Sequence, residues 1–242
     1  MESLEVNSLI IVESENDKYF IEAFLDKLNL KNIELGEPIC NIIDFNCLGG
    51  YTQLSNKLID IKLDKYNKIG IILDADNVGI DKRIDFINSA LKSICQDVTL
   101  NKINKLKKSK ELDLEIVCYI TNVDGTGELE TVMRKVKSQL STYADCLNSW
   151  RECLKSNNVE IKDKEFDKFW VSNYLKYDTC LSRKDKKQKS KKCANELINN
   201  TKNIEEIDNN LKSSKYTIKK DIWDFHNPIL NDLKIFLELL SK

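Results

Sequence analysis

Two aspartates separated by one small residue follow a strongly apolar stretch in the first half of the chain. The stretch KIGIILDADN runs from Lys68 to Asn77 and places Asp74 and Asp76 directly after an apolar segment. Side chains alternate along an extended strand, so both carboxylates point to the same side while Ala75 points to the other. Carboxylates held this close repel one another, and a hard divalent cation such as Mg²⁺ or Mn²⁺ relieves that repulsion.

Two other apolar stretches also end in acidic residues. SLIIVE ends in Glu13, and Asp17 follows at the first turn of a helical pattern. DLEIVCYI leads to further carboxylates, which are Asp124, Glu128 and Glu130. Each of these residues alone is more often a helix cap or a turn residue than a ligand. The carboxyl ends of parallel strands share one edge of a sheet, however, so strands that end in Glu13 and in the aspartate pair would assemble a magnesium or manganese site.

The elements that must position these residues alternate between strand and helix. Helical patterns occur in DKYFIEAFLDKLNL, LGGYTQLSNKLIDIKLDKY and GIDKRIDFINSALKSI. The third of these has an apolar face, which consists of Ile80, Ile84, Ile87 and Leu91. They separate four apolar segments that have the length of strands, at residues 8–13, 39–46, 68–76 and 113–120. This alternation predicts an α/β fold with a four-stranded, mostly parallel sheet, right-handed crossovers and helices on both faces.

The second half of the chain has a different pattern. Residues 131–242 are mostly helical or irregular in pattern, and we expect them to form a helical extension packed on a first domain of residues 1–130. The segment KEFDKFWVSNYLKY carries aromatic residues near helical spacing, which predicts core packing for Phe166, Phe169, Trp170 and Tyr174. An aromatic turn, Pro228 and a terminal helical pattern follow.

The composition of the 242-residue chain is that of an ordinary globular protein, with 41% hydrophobic and 32% charged residues and a net charge of −1. No apolar run is long enough to span a membrane, and the N-terminus lacks the basic start of a secretion signal, so we expect a cytoplasmic protein without a membrane partner. The 8 cysteines contain no C-x-x-C pair and are predicted to be buried free thiols. A single histidine, His226, argues against a zinc site and against His-dependent nucleophilic catalysis.

Lysine is concentrated in two runs, NKINKLKKSK at residues 101–110 and SRKDKKQKSKK at residues 182–192. Such runs are most often solvated surfaces, but beside an acidic metal site they also suit the phosphate backbone of a nucleic acid. The candidate phosphate-contacting residues are Lys107, Lys108, Lys187, Lys189, Lys191 and Lys192.

Several of these segments resemble the TOPRIM fold. LIIVESENDKYFIEAFL resembles its opening strand and glutamate, IGIILDADN its D-x-D strand, and LGGYTQL the glycine turn after its second strand. The likeness covers residues 8–130 and looks closest to a small stand-alone group related to the nuclease half of OLD-type (overcoming lysogenisation defect) proteins. GELETVM resembles the G-x-L-E element of that group, and KKDIWDFHNPILNDLKIFL resembles its aromatic ending. The commonest glutamate element of the family is E-G, whereas this chain has Glu13 followed by Ser14.

The resemblance implies a nuclease that hydrolyses phosphodiester bonds with two Mg²⁺ or Mn²⁺ ions. Carried over residue by residue, it implies a set of carboxylate ligands made by Glu13, Asp17, Asp74, Asp76 and Glu130. Glu13 would act as a ligand or as the general base, and Asp17 would serve a second ion. Lys184 and Lys186 are the candidates for a catalytic positive charge that stabilises the transition state.

Two other functions fit parts of the same pattern. IILDADNV also resembles the D-x-D-x-V element of HAD-type phosphatases, with Asp74 as nucleophile and Asp76 as acid/base, but that strand normally comes first in the chain. A TOPRIM-like regulatory or binding subunit without catalytic activity is the other alternative. The chain has no G-x-x-x-x-G-K-[ST] motif, so an ATPase partner of the OLD type would be a separate polypeptide. DNA or RNA as the substrate, the oligomeric state and a role in phage defence stay open at this point.

Overall fold

The described part of the chain forms two compact units. In the computed structural model, the described residues are 8–39, 53–179 and 222–242. The first unit contains the described residues up to Leu129 together with Pro228–Lys242, and the second contains those from Glu130 to Asn227. The division falls after Leu129, and the C-terminal segment from Pro228 belongs to the first unit.

One sheet lies in the first unit, and its strands are β1 (Ser8–Ile11), β2 (Ile33–Leu35), β3 (Lys68–Asp74), β4 (Lys107–Ser109) and β5 (Leu114–Thr121). Their order is β2-β1-β3-β5-β4, and all neighbours pair in parallel except β4, which runs antiparallel to β5. The predicted α/β class with a mostly parallel sheet is therefore confirmed. The predicted number of four strands is wrong, because the described residues form a 5-stranded sheet.

The two strands that the sequence pattern missed are the short ones at the sheet edges. β2 and β4 have 3 residues each, and β4 lies inside the first lysine run. β4 reads KKS and has no apolar period, while β2 reads IEL, which is too short for its alternation to indicate a strand. Each forms through backbone pairing with a longer neighbour, β1 or β5. Beyond Ile39, the strand predicted at residues 39–46 lies outside the described residues.

The described helices are α1 (Glu15–Leu28), α2 (Leu54–Asp60), α3 (Ile80–Leu91), α4 (Leu129–Lys135), α5 (Thr142–Ser156), α6 (Asp163–Asn173) and α7 (Asn231–Ser241). The predicted apolar face of α3 is confirmed, since Ile84, Ile87 and Leu91 are buried and Ile80 packs against the same cluster. This cluster also contains alternate apolar residues of β3, so α3 covers one face of the sheet. No helix in the described ranges is long and apolar enough to cross a membrane.

The opposite face of β3 packs against α7. A Cβ atom added at Gly70 would lie 2.5 Å from Leu240 Cδ1 and 2.6 Å from Phe236 Cζ, so the glycine allows the helix to approach the strand closely. Phe236 also contacts Tyr119 of β5, with ring centroids 5.9 Å apart. At the end of α7, the Ser8 hydroxyl donates a hydrogen bond of 2.6 Å to the Leu240 carbonyl. The predicted terminal helix thus completes the core of the first unit.

Aromatic side chains form much of the core of the second unit. Trp170 of α6 stacks on Tyr174, with ring centroids 5.2 Å apart, and Phe166 is fully buried beside them. Core packing is therefore confirmed for these members of the predicted aromatic set. Phe169 is the exception, because it is 44% exposed and contacts Trp150 of α5 at the surface.

The described cysteines divide into two buried and two exposed thiols. Cys95 and Cys118 are buried and free, as predicted, and burial raises the pKa of the Cys118 thiol to about 12. Cys146 and Cys153 are exposed on α5, so the prediction is wrong for them. The reason is that α5 buries Ala144 fully and keeps most of its remaining surface in contact with solvent.

Candidate active site

The carboxyl ends of β1 and β3 bring two of the predicted site residues together. The two strands are parallel neighbours, with Ile11 opposite Ile71, and Glu13 and Asp74 lie at their carboxyl ends. One carboxylate oxygen of Glu13 accepts a hydrogen bond of 3.3 Å from the backbone N–H of Asp74. Both residues are half-buried at the edge of the sheet. The predicted strand order places these two residues at the same edge of the sheet, and the structure confirms that they contact each other there.

The second aspartate of the pair meets a positive charge that belongs to the chain itself. Asp76 forms an ion pair with the guanidinium of Arg83, which lies one turn into α3. Arg83 is only 3% exposed, so this is a buried charge with a carboxylate partner. The sequence analysis did not select Arg83, although a signal was present. Arg83 precedes Ile87 by one helical turn, which places a charged residue on the buried side of the helix.

Backbone hydrogen bonds hold the loop that follows β3. Asp76 has a left-handed backbone, with φ of 47°, and exchanges two hydrogen bonds of 2.8 Å with Gly127. The N–H of Ala75 donates to the carbonyl of Thr121 at 2.9 Å. These hydrogen bonds join the aspartate loop to β5 and to the segment that follows it, and together they hold the backbone conformation at Asp76.

The segment after β5 contains a tight turn and a buried carboxylate. Asp124 and Gly125 have φ values of 53° and 92°, which is the conformation of a two-residue hairpin turn that favours an Asp-Gly pair. Glu128 follows this turn, next to the residue that bonds to Asp76, and is 5% exposed. The predicted ligand set used Glu130 instead, which is buried at the start of α4 in the second unit. Its predicted role as a ligand stays a prediction.

Asp17 forms a capping box at the start of α1. One of its carboxylate oxygens accepts hydrogen bonds from the backbone N–H and from the hydroxyl of Ser14, at 2.9 Å and 2.6 Å. In return, the Ser14 hydroxyl accepts a bond from the Asp17 N–H at 3.3 Å. The backbone at Ser14 is extended, with φ of −132°, so this position does not require glycine. Helix capping therefore accounts for the buried carboxylate of Asp17 without a metal ion.

The predicted metal ligands lie on several different elements of the fold, which are the ends of β1 and β3 and the first turns of α1 and α4. Within the described ranges, no group of three or more His, Cys, Asp or Glu side chains is arranged to hold a metal ion. Glu13 and Asp74 are the predicted ligands that the structure brings into contact. Mg²⁺ keeps several waters and is commonly bound by one or two carboxylates together with substrate phosphates. The donor chemistry of this pair suits such an ion.

Two of the predicted phosphate-contacting lysines, Lys107 and Lys108, lie on β4, away from the carboxyl ends of β3 and β5. The register places Lys107 opposite Ile116 of β5, whereas Thr121, at the far end of that strand, is opposite Asp74. At ~3.3 Å per residue, Lys107 is therefore about 16 Å and Lys108 about 20 Å from the carboxylates along the strand. A nucleic-acid contact by these lysines stays a prediction. The other predicted lysines lie outside the described residues: Lys184, Lys186, Lys187, Lys189, Lys191 and Lys192.

Nearly the whole chain matches the model of one protein family. The family is described as a protein of unknown function, DUF3226, and the match covers residues 7–242. The chain belongs to the DUF3226 family. No curated protein and no solved structure matches it. Because the DUF3226 match runs through both compact units, the sheet and the helical unit are parts of one family pattern.

The second unit contains a small cavity, and the residues that line it lie within the DUF3226 match. Its volume is about 190 Å³, and it is lined by Thr131, Arg134, Lys135, Lys137, Asp145 and Trp170. Arg134 forms an ion pair with Asp167, and Lys137 forms one of 2.7 Å with Asp145. Burial raises the pKa of Asp145, but hydrogen bonds from Lys137 and Ser141 outweigh it and lower that pKa below its ordinary value. The cations of this cavity are thus largely matched by carboxylates.

Proposed function

We propose that this DUF3226 protein is a metal-dependent nuclease that hydrolyses phosphodiester bonds of DNA or RNA. The observation that carries the proposal is the contact between the Glu13 carboxylate and the Asp74 amide, across neighbouring parallel strands. Ligand sites of parallel sheets lie at this carboxyl edge. The reaction class comes from the resemblance of the Glu13 segment and the D-x-D segment to TOPRIM nucleases.

The proposed roles follow from where the chain holds each group. Glu13 and Asp74 hold Mg²⁺ or Mn²⁺ through their carboxylate oxygens, and Glu13 alternatively accepts the proton of the attacking water. The bound ion supplies Lewis-acid chemistry, which activates water and neutralises charge on the phosphate. The Asp74 amide orients the Glu13 side chain. Lys184 and Lys186 are proposed to supply positive charge at the transition state.

The same proposal includes the partners and the setting that the sequence predicts. Nucleic acid is the substrate, a separate ATPase subunit is a proposed partner, and the cytoplasm is the proposed location. Defence against phage is the biological role that such a nuclease suggests. The phosphatase alternative places its nucleophile on the first strand of the chain, whereas Asp74 ends the third strand, β3.

A non-catalytic TOPRIM-like subunit is the second candidate function. The observation that favours it is the small size of the acidic site, because no group of three potential ligands is assembled within the described residues. Such a subunit would bind one ion or none, and it would act through a partner rather than through hydrolysis.

Cleavage assays with matched variants test the proposed function. Supercoiled plasmid and a tRNA pool are each incubated with Mg²⁺, with Mn²⁺ or with EDTA. The proteins are the wild type, Asp74→Asn, Glu13→Gln and a control, Asp85→Asn, which removes an exposed carboxylate from α3. We expect metal-dependent cleavage that falls by more than about 100-fold in the two site variants and is unchanged in the control. No cleavage by the wild type, while metal still raises its melting temperature, would support the non-catalytic subunit.

A further inference from the structure

We infer that the cavity of the second unit binds a phosphate group. Its lining includes three cationic side chains, which are those of Arg134, Lys135 and Lys137 at the end of α4 and just beyond it. The described residues that line the cavity all belong to the second unit. The inference therefore does not depend on the metal chemistry proposed for the first unit.

The charges around the cavity leave a positive excess. The lining carries three positive side chains and one negative side chain, that of Asp145. The lowered pKa of Asp145 keeps this carboxylate ionised at neutral pH, so its charge is already counted. Asp167, the buried partner of Arg134, reduces the excess further but leaves one positive charge unmatched. Such an excess favours an anion over a cation or a neutral ligand.

Lys135 is the cation that supplies this excess. Arg134 and Lys137 each form an ion pair with a carboxylate, whereas Lys135 forms none with any residue that the structure describes. Its side chain is exposed and lines the cavity. An ammonium group has three N–H donors, so Lys135 brings both charge and hydrogen-bond donors to a bound anion.

The two paired cations also keep donors for a ligand. The ion pair with Asp167 involves one terminal nitrogen of Arg134, and a guanidinium carries five N–H donors. The ammonium of Lys137 has three donors and uses two of them, toward Ser141 and Asp145. The side chains of Arg134 and Lys137 are 28% and 31% exposed. Each can therefore donate to an anion while it keeps its carboxylate partner.

Aromatic rings hold the same two cations in place. The guanidinium carbon of Arg134 lies 4.9 Å from the centroid of the Phe166 ring, and Lys137 Nζ lies 5.3 Å from that of Trp170. Both rings are buried in the core of the second unit. Cations that are already positioned lose little conformational freedom when a ligand binds.

The size of the cavity limits the ligand to a small group. Its volume of about 190 Å³ is below the ~300–1,000 Å³ typical of pockets for drug-sized ligands. Phosphate oxygens are strong acceptors for arginine and lysine donors. The cavity therefore suits inorganic phosphate or a single phosphate group of a nucleic acid.

Calorimetric titration with inorganic phosphate, at neutral pH and low salt without divalent metal, tests this inference. We expect saturable binding of one phosphate, with a Kd of about 1 mM or lower. Lys135→Gln should weaken binding by about tenfold, because it removes a charge-assisted hydrogen bond and leaves both ion pairs in place. Lys135→Glu should weaken it further. Lys155→Gln, which removes an exposed lysine of α5 outside the cavity lining, is the matched control.

A short single-stranded oligonucleotide, with and without a terminal phosphate, identifies the source of the phosphate group. Binding that needs the terminal phosphate and weakens in Lys135→Gln indicates the end of a nucleic acid. Equal binding of both forms, weakened alike in Lys135→Gln, indicates its backbone. Phosphate binding with which neither form competes indicates a free anion.

Two results would overturn the inference. The first is the absence of saturable phosphate binding by the wild type. The second is a folded Lys135→Glu variant that binds phosphate as tightly as Lys155→Gln. Because these titrations contain no divalent metal, their outcome is independent of the cleavage assays that test the nuclease.

Discussion

The Glu13 carboxylate is oriented by the backbone of Asp74, whose N–H donates to it at 3.3 Å. The side chain of Asp74 is not the donor, so a substitution that replaces only this carboxylate leaves the Glu13 contact in place. Asp74→Asn is therefore a clean probe of the site, because it removes one charge and keeps the local geometry.

The stability of Asp74→Asn should reveal the repulsion between the two carboxylates. Without metal, the variant should be more stable than the wild type by about 0.5–1 kcal/mol, because the substitution removes one of two adjacent negative charges. With Mg²⁺, the wild type should gain stability while the variant does not. Thermal unfolding in EDTA and in Mg²⁺ measures both effects. Asp85→Asn, on the exposed side of α3, is the control that should show neither.

The capping box at Ser14 should matter for folding more than for the chemistry. Ser14→Ala removes the hydroxyl that bonds to Asp17 and should lower the free energy of unfolding by about 1 kcal/mol. Ser14→Gly creates the E-G element common in TOPRIM proteins and should cost only a few tenths, about 0.3 kcal/mol. Urea unfolding of both variants measures the difference. Equal stability of Ser14→Ala and the wild type would contradict a stabilising cap.

The close contact between β3 and α7 leaves no room for a side chain at Gly70. Gly70→Ala should destabilise the first unit by about 1–3 kcal/mol, since the new methyl group overlaps Phe236 and Leu240. Gly36→Ala is the matched control, because its Cβ would lie 3.3 Å from Leu9 Cδ1 and 3.4 Å from the Ile10 carbonyl, which is far less crowded. We expect the control to cost less than about 1 kcal/mol. A larger effect at Gly36 than at Gly70 would be inconsistent with this packing.

The second unit should lose stability at acidic pH through Asp145. Its pKa is lowered in the folded state because the hydrogen bonds and charge of Lys137, with further bonds from Ser141 and Trp170, outweigh burial. A lowered folded pKa gives stability that is present above the unfolded value of about 3.9 and is lost as the pH falls through the folded value. The free energy of unfolding, measured between neutral pH and about pH 3, should therefore depend less on pH for Asp145→Asn than for the wild type. If the free energy of unfolding of Asp145→Asn changed with pH as steeply as that of the wild type, Asp145 would not contribute to the loss of stability in acid.

The exposed thiols of α5 should react before the buried ones. A short pulse of iodoacetamide on the folded protein should modify Cys146 and Cys153 and leave Cys95 and Cys118 unmodified. Burial raises the pKa of both protected thiols, so they contain little of the reactive thiolate. Peptide mass spectrometry before and after denaturation distinguishes the four sites. Rapid labelling of Cys118 in the native protein would contradict its place in the core.

Local patterns in the sequence determine the long strands, the main helices and the acidic residues at the strand ends. The apolar run before Asp74 and the helical stripe that includes Ile84 and Ile87 are properties of neighbouring residues, so they are visible without a structure. The strand alternation further predicts that Glu13 and Asp74 meet, because parallel strands share one carboxyl edge.

Only the tertiary structure decided how each carboxylate is used. Arg83 reaches Asp76 because the loop after β3 is bonded to the segment after β5, and Asp17 is turned toward the Ser14 cap. The short edge strands and the packing of α7 on Gly70 likewise depend on partners far along the chain. The periodicity of a sequence shows which residues of one helix or strand share an apolar face. Whether a charged side chain forms an ion pair, caps a helix or binds a ligand depends instead on contacts between different elements. Those contacts exist only once the chain has folded.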